Sequence, residues 1–272
     1  MSNLLKIWIM RKEEIRLTPE QALELVKEAN RVWTDAIDRE EHLKLTEPIR
    51  VFKRARTETR QAMYKFDHLV TSFVAEPNAE KIYALFIDNL GNYAYQDEIT
   101  EAIGKEPYAG RLFMKMMNHP HFRRFDEDGQ VAIFSMPNRL QLLEKCFSLG
   151  HDLCDDGEVL LFNIKNCTKI VEQYLSIGFG LCHKAQKKMM ELPERSINTL
   201  LTAFVNSITE KNYSERTMCT KMQFALISPK NKSLFTTYCD KMRPFYKSEQ
   251  DFQKAVFAPQ VLFVAKQRGW LS

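Results

Sequence analysis

Glycine and proline are scarce in this chain, at 9 and 10 of 272 residues. That scarcity argues against a β-sandwich, a glycine-rich phosphate-loop architecture and a long disordered linker. There is no CxxC pair, so the six cysteines read as free thiols of a reducing compartment and not as a disulfide framework. Nowhere do about 18 apolar residues run uninterrupted, so no membrane span is expected. The opening MSNLLKIWIM is broken by Lys6 and followed by Arg11 and Lys12 with no small-residue cleavage site, which is unlike a secretory signal. A cytoplasmic location is the expectation.

Catalytic signatures are missing too. No P-loop, nucleophile elbow or kinase set occurs. Gly178-Phe179-Gly180 is a fragment of a dinucleotide fingerprint, but it lies in a helical segment and follows no strand. Histidine, cysteine and aspartate gather at His119-Pro120-His121, over His151 to Asp156, and at Cys182-His183, without the paired spacing that converges metal ligands. Asp126-Glu127-Asp128-Gly129 opens like a calcium loop and lacks the closing glutamate. The expectation is therefore no enzyme, no cofactor and no metal.

What is abundant is helix. With 44% hydrophobic residues, 18 Phe and 12 Met, the chain can bury one large core or two modest ones. Thr18-Pro19-Glu20-Gln21 is a capping box with proline at the first helical position, and Ala22, Val26, Ala29, Trp33 and Ile37 follow at helical spacing. Further helices are expected from Pro48 to about Phe73, over 78–90, 97–103, 108–117 and 137–149, then as one long helix over 168–192. Others are expected over 197–209, 214–227 and 259–268, with Ser233 and Ser248 as N-caps of two more. Val131 to Phe134, after the Asp128-Gly129 turn, is the one plausible strand. No internal repeat is apparent. The fold class expected is all-α and two-lobed, with at most one short hairpin and apolar terminal extensions. The divisions are an arm over 1–17, a lobe over 18–150 and a lobe over 159–272, joined by the polar stretch GHDLCDDGE.

Charge carries the functional expectation. Residues 76–160 hold 8 basic and 15 acidic groups, whereas residues 211–272 hold 11 and 4, so a net +4 conceals an electrically bipolar chain. Arg50 to Phe66 holds six basic side chains, Arg50, Lys53, Arg54, Arg56, Arg60 and Lys65, against Glu58 alone. On a helix they occupy the half opposite Ala55, Ala62 and Phe66, and guanidinium forks suit phosphate. A bland reading competes: a solvated face paired with Glu40, Glu41 and Glu47 of the preceding helix. A second basic set, Lys230, Lys232, Lys241, Arg243 and Lys247, is interleaved with Phe235, Tyr238, Phe245 and Tyr246, a mixture suited to single strands unless the aromatics are core. Apolar ends (Leu4, Leu5, Ile7, Trp8 and Ile9; Trp270 and Leu271) are candidates for joining copies into a homo-oligomer. Together these suggest a self-assembling protein that coats single-stranded RNA without sequence preference. That plan is similar, in architecture and not in any motif, to the nucleoproteins of negative-strand RNA viruses. The alternative is a helical protein-interaction module that binds no nucleic acid.

Overall fold

The computed structural model describes residues 17–46, 49–90, 96–209 and 217–271. Among these every regular element is helical. The chain divides into two compact units, residues 1–142 and 143–272. No described helix is long and apolar enough to cross a membrane.

Unit 1 opens with two long helices, α1 (Pro19–Thr46) and α2 (Ile49–Ser72). The capping box starts α1 as its residues require: the Gln21 amide donates to Thr18 Oγ1 at 3.3 Å, and the Thr18 amide donates to Gln21 Oε1 at 2.9 Å. Shorter helices follow: α3 (Ala79–Asp88), α4 (Gln96–Ile103), α5 (Ala109–Met117), α6 (Glu127–Ile133) and the first residues of α7 (Arg139–Ser148). They form two layers, with α2, α4 and α6 side by side in one and α1, α3 and α5 in the other. The core between them is aromatic, with Phe73 and Tyr83 each edge-on to Phe86 at 5.7 and 5.6 Å.

Unit 2 repeats the scheme. Its helices after α7 are α8 (Asp155–Leu161), α9 (Thr168–Ile177), α10 (His183–Met189), α11 (Glu194–Asn206), α12 (Thr220–Leu226), α13 (Lys232–Met242), α14 (Glu249–Val256) and α15 (Pro259–Gln267). Helices α8, α10, α12 and α15 lie side by side, the counterpart of the α2, α4 and α6 row of unit 1 (these two rows are the inner helices), and α9, α11 and α13 form the second layer. Helix α14 is an addition between α13 and α15, seated on the turn Arg243–Phe245.

The repeat that was not apparent in the sequence becomes visible through the helix starts. Asp126, Cys154, Cys182, Cys219 and Ala258 are the N-caps of α6, α8, α10, α12 and α15. Seven residues after each cap comes a buried apolar side chain: Ile133, Leu161, Met189, Leu226 and Ala265. Four residues after the first four caps comes a buried polar one: Gln130, Glu158, Gln186 and Gln223. Gln186 shows its use. Its Nε2 donates to the Leu181 and Thr217 carbonyls, both at 2.8 Å, and its Oε1 accepts the Cys219 amide. Gln223 copies this one helix later, donating to the Met218 and Val256 carbonyls and accepting from the Ala258 amide at 2.9 Å. One amide side chain therefore satisfies the start of its own helix and the start of the next, where backbone groups would otherwise be buried unpaired. In α4 the same bridge comes from the first helical residue, where Gln96 accepts from the Arg123 amide at 2.9 Å and donates to the Arg123 and Arg124 carbonyls.

Three expectations are corrected. Val131 and Ile133 lie in α6 and Phe134 caps it, so the segment read as a strand is helix: the Asp126 carboxylate accepts the Gly129 amide at 2.8 Å and nucleates it. Thr168 to Leu192 is two helices, α9 and α10. Gly178, at φ 111°, ends α9 in a left-handed conformation that glycine adopts without strain, so Gly178-Phe179-Gly180 is the joint and no part of a helix. Ser233 lies inside α13, whose N-cap is Asn231. Ser248 does cap α14, accepting the Asp251 amide at 3.1 Å.

If the bridging amides hold the layers in register, Gln223→Ala leaves an amide and two carbonyls without partners. Urea denaturation should show a loss of about 3 kcal/mol. The exposed neighbour Thr220→Ala should change stability by less than about 0.5 kcal/mol.

Candidate interaction surfaces

Helix α2 buries Ala55, Phe66, Leu69 and Val70 and turns its cations outward, as its amphipathic pattern requires. Lys53, Arg54, Arg56, Arg60 and Lys65 are all exposed, and Arg50 lies outside the residues whose side chains are described. Arg54 is bound to Glu58 at 3.2 Å, and Glu58 also meets Arg39 of α1 at 3.5 Å. The others make no ion pair among the described residues, and neither Glu40 nor Glu41 pairs with them. Lys53, Arg56, Arg60 and Tyr64 recur at spacings of three and four, so they form one stripe. Tyr64 is 71% exposed and its ring stacks on His68 at 6.4 Å.

The second basic set sits differently. Lys230 pairs with Glu194, and Lys241 donates to the Asn206 carbonyl at 2.6 Å. Arg243 pairs with Asp240 at 3.1 Å and Glu249 at 2.7 Å and lies over the Phe252 ring. Only Lys232 and Lys247 are exposed without an ion pair among the described residues. Phe235 and Tyr238 are core residues packed on Phe257, at 5.6 and 6.1 Å, and Tyr246 packs on Phe252. Trp270 lies against Phe235 at 5.5 Å and Leu271 is buried, so the tail packs on its own unit. Leu4, Leu5, Ile7, Trp8 and Ile9 lie outside the described residues.

Glu158 is the exception among the bridging residues. It holds the glutamine position, but a carboxylate accepts only: Oε1 accepts the Tyr174 hydroxyl at 2.9 Å and Oε2 accepts the Cys182 amide. The Tyr174 hydroxyl in turn accepts the Leu153 amide at 3.2 Å. Burial pushes the Glu158 carboxyl above the ordinary range, against those hydrogen bonds. An open cleft of about 320 Å³ lies beside it, lined in part by Asp152, Phe179 and His183. Ligand atoms of Asp155, Glu158 and Cys182 fall within 4.8 Å of one another. This grouping drew on residues far apart in sequence, which is why spacing gave no sign of it. Its surroundings do not favour a cation. Two helix starts point their amides at it, the Cys182 sulfur already accepts the Ala185 amide at 3.4 Å, and burial pushes that thiol's pKa up. We read it as the hydrogen-bonded junction of α8 and α10.

In unit 1, burial pushes the Glu98 carboxyl up to about 7, with Asp67, Asp97 and Glu101 adding like charge. One oxygen of Glu98 and one of Asp67 are buried without a hydrogen-bond partner. The two residues lie on neighbouring inner-layer helices, α4 and α2.

Comparison with family profiles, curated proteins and solved structures returned no match.

The two buried carboxyls set a pH dependence. A raised folded pKa means that the folded state keeps a proton the unfolded chain releases, so for Glu98 this stability is present below about 4.5 and lost as pH rises through about 7, and the raised Glu158 carboxyl acts in the same direction. Thermal midpoints should fall between pH 5 and pH 8. Glu98→Gln should flatten that fall, and Glu158→Gln should raise stability at pH 8 by about 1 kcal/mol by restoring an amide donor. An unchanged profile in both variants would show that neither carboxyl controls it.

Proposed function

We propose that the chain is a repeat-type binding scaffold, a helical protein-interaction module and not an enzyme. The observation that carries this reading is the amide bridge, which recurs from one inner helix to the next and sets short helices side by side within each unit. Stacks built this way bury a continuous core with one set of positions and leave the outward positions of neighbouring helices as an extended face for partners. The described helices enclose their cores with aromatic and aliphatic side chains, and the cleft beside Glu158 is lined in part by residues that satisfy helix starts.

A second reading is favoured by one specific observation, the α2 stripe. Lys53, Arg56 and Arg60, unpaired and aligned with exposed Tyr64, suit a single-stranded RNA or another polyanion. Coating of RNA by self-assembly, with the apolar arms joining copies, belongs to this reading.

One experiment separates the two. Size-exclusion chromatography with light scattering and absorbance at two wavelengths, at low and high salt, should give a discrete particle free of nucleic acid if the scaffold reading holds. Large particles that shed nucleic acid at high salt would overturn it. In that case Arg56→Glu with Arg60→Glu should weaken binding of a uridine oligonucleotide by about tenfold or more, and lessen its salt dependence. Unchanged affinity in that double variant would remove α2 from the interface.

A further inference from the structure

The repeat register of unit 2 brings together an outward face that the sequence did not suggest. Five residues after their caps, α8, α10, α12 and α15 carry Val159, Lys187, Phe224 and Phe263. Three residues earlier, on the same helix face, stand Asp156, Lys184, Lys221 and Gln260. Phe224 is 44% exposed and Phe263 is 62% exposed, and they occupy equivalent places on helices that pack against each other. Lys187 and Lys221 are exposed and make no ion pair among the described residues, and Lys184 reaches only Asp156, at 4.0 Å.

From this we infer that the outward face of α10, α12 and α15 binds an acidic protein segment carrying apolar side chains. The inference rests on the scaffold reading and names its partner chemistry. The cores of α12 and α15 are built from Met222, Leu226, Val261 and Ala265, and the Phe224 and Phe263 rings stand outside them, open to a partner. Their flanks are cationic, so a partner must bring both apolar side chains and carboxylates. The cations are all lysines, without the guanidinium fork that suits phosphate, which favours a protein segment over nucleic acid. A second copy of the chain is a poorer occupant. The two rings together offer roughly 200 Å² of apolar surface, against about 800 Å² per partner in a stable interface. Neighbouring helices stand about 8–10 Å apart, a step that an extended chain crosses in about three residues. Acidic and apolar side chains alternating at that interval would meet Lys187, Phe224 and Phe263 in turn.

The test selects short random peptides, displayed on phage, against the full chain. Selected peptides should combine Asp or Glu with Phe, Leu or Ile. Synthetic copies should bind about tenfold more weakly to Phe224→Ala/Phe263→Ala and to Lys187→Glu/Lys221→Glu. All four side chains are exposed, so circular dichroism should be unchanged. Selected peptides that bind the variants as well as the parent would overturn this face and leave the scaffold reading standing. A failure to select any peptide would count against both. Competition by a uridine oligonucleotide would reassign the face to polyanions, and a multimer that the variants split into monomers would assign it to a second copy.

Discussion

The arrangement depends on one recurrent interaction: a buried side chain, four residues into an inner helix, that hydrogen-bonds the backbone where the next inner helix begins. Short helices need it. Helices of seven residues, such as α6, α8, α10 and α12, leave more than half of their backbone amides and carbonyls outside the intrahelical ladder. Packed side by side, their starts are shielded from water, so each uncapped group would cost about 1–3 kcal/mol. A glutamine amide supplies donor and acceptor from one position and serves two helices at once. Leu262 stands at that position in α15.

That division of labour frees the surface. The capping, fourth and seventh positions are committed to the junctions and the core, and the second and fifth positions point outward. In unit 1 those positions hold exposed Glu101 on α4 and exposed Asp128 and Val131 on α6, whereas the Glu98 carboxyl of α4 has one buried oxygen. In unit 2 they hold Asp156 and Val159 on α8, Lys184 and Lys187 on α10, Lys221 and Phe224 on α12, and Gln260 and Phe263 on α15. The outward positions thus vary in charge along the chain while the junction positions keep their residue types. Close approach leaves little room for change at the position between: a side chain on Gly129 would come within 2.5 Å of the Thr100 methyl of α4.

The helical class was legible because it rests on local signals. Thr18 with Gln21, Ser248, and the glycines that follow α7 and α15 each mark a boundary through their own side chain or its absence, whereas Gly178 reads as lying inside a helix that it in fact ends. The repeat was present but faint. DEDGQVAI, CDDGEVLL, CHKAQKKM and CTKMQFAL share only a cap at the first place, an amide or carboxyl at the fifth and an apolar residue at the eighth. Their starts are separated by 28, 28 and 37 residues, so no fixed period brings them out. Cysteine disguised them further. Residues weighed as metal ligands are in two cases sulfur caps, with Cys154 accepting the Gly157 amide at 3.3 Å and Cys182 accepting that of Ala185. Short apolar runs are ambiguous between helix and strand, and at Val131–Phe134 the Asp126 cap decided the matter.

Cation counting is where sequence and surface part most clearly. The two basic regions look alike as strings, yet a cation is available to a partner only if its own fold leaves it without an oxygen. Lys241 and Arg243 are held by the carbonyls and carboxylates of their own unit, and of the aromatics interleaved with them Phe235 and Tyr238 are core while Phe245 and Tyr246 are half-buried. Along α2 a single glutamate serves Arg54 and Arg39, and Lys53, Arg56 and Arg60 make no ion pair among the described residues. The lysines of α10 and α12 were scattered through the sequence without forming a run, and the register collects them beside two phenylalanines. Surface chemistry in a repeat fold is therefore a property of register and not of local density: residues 28 to 39 apart in the chain become neighbours, whereas residues adjacent in a basic run can point to opposite faces.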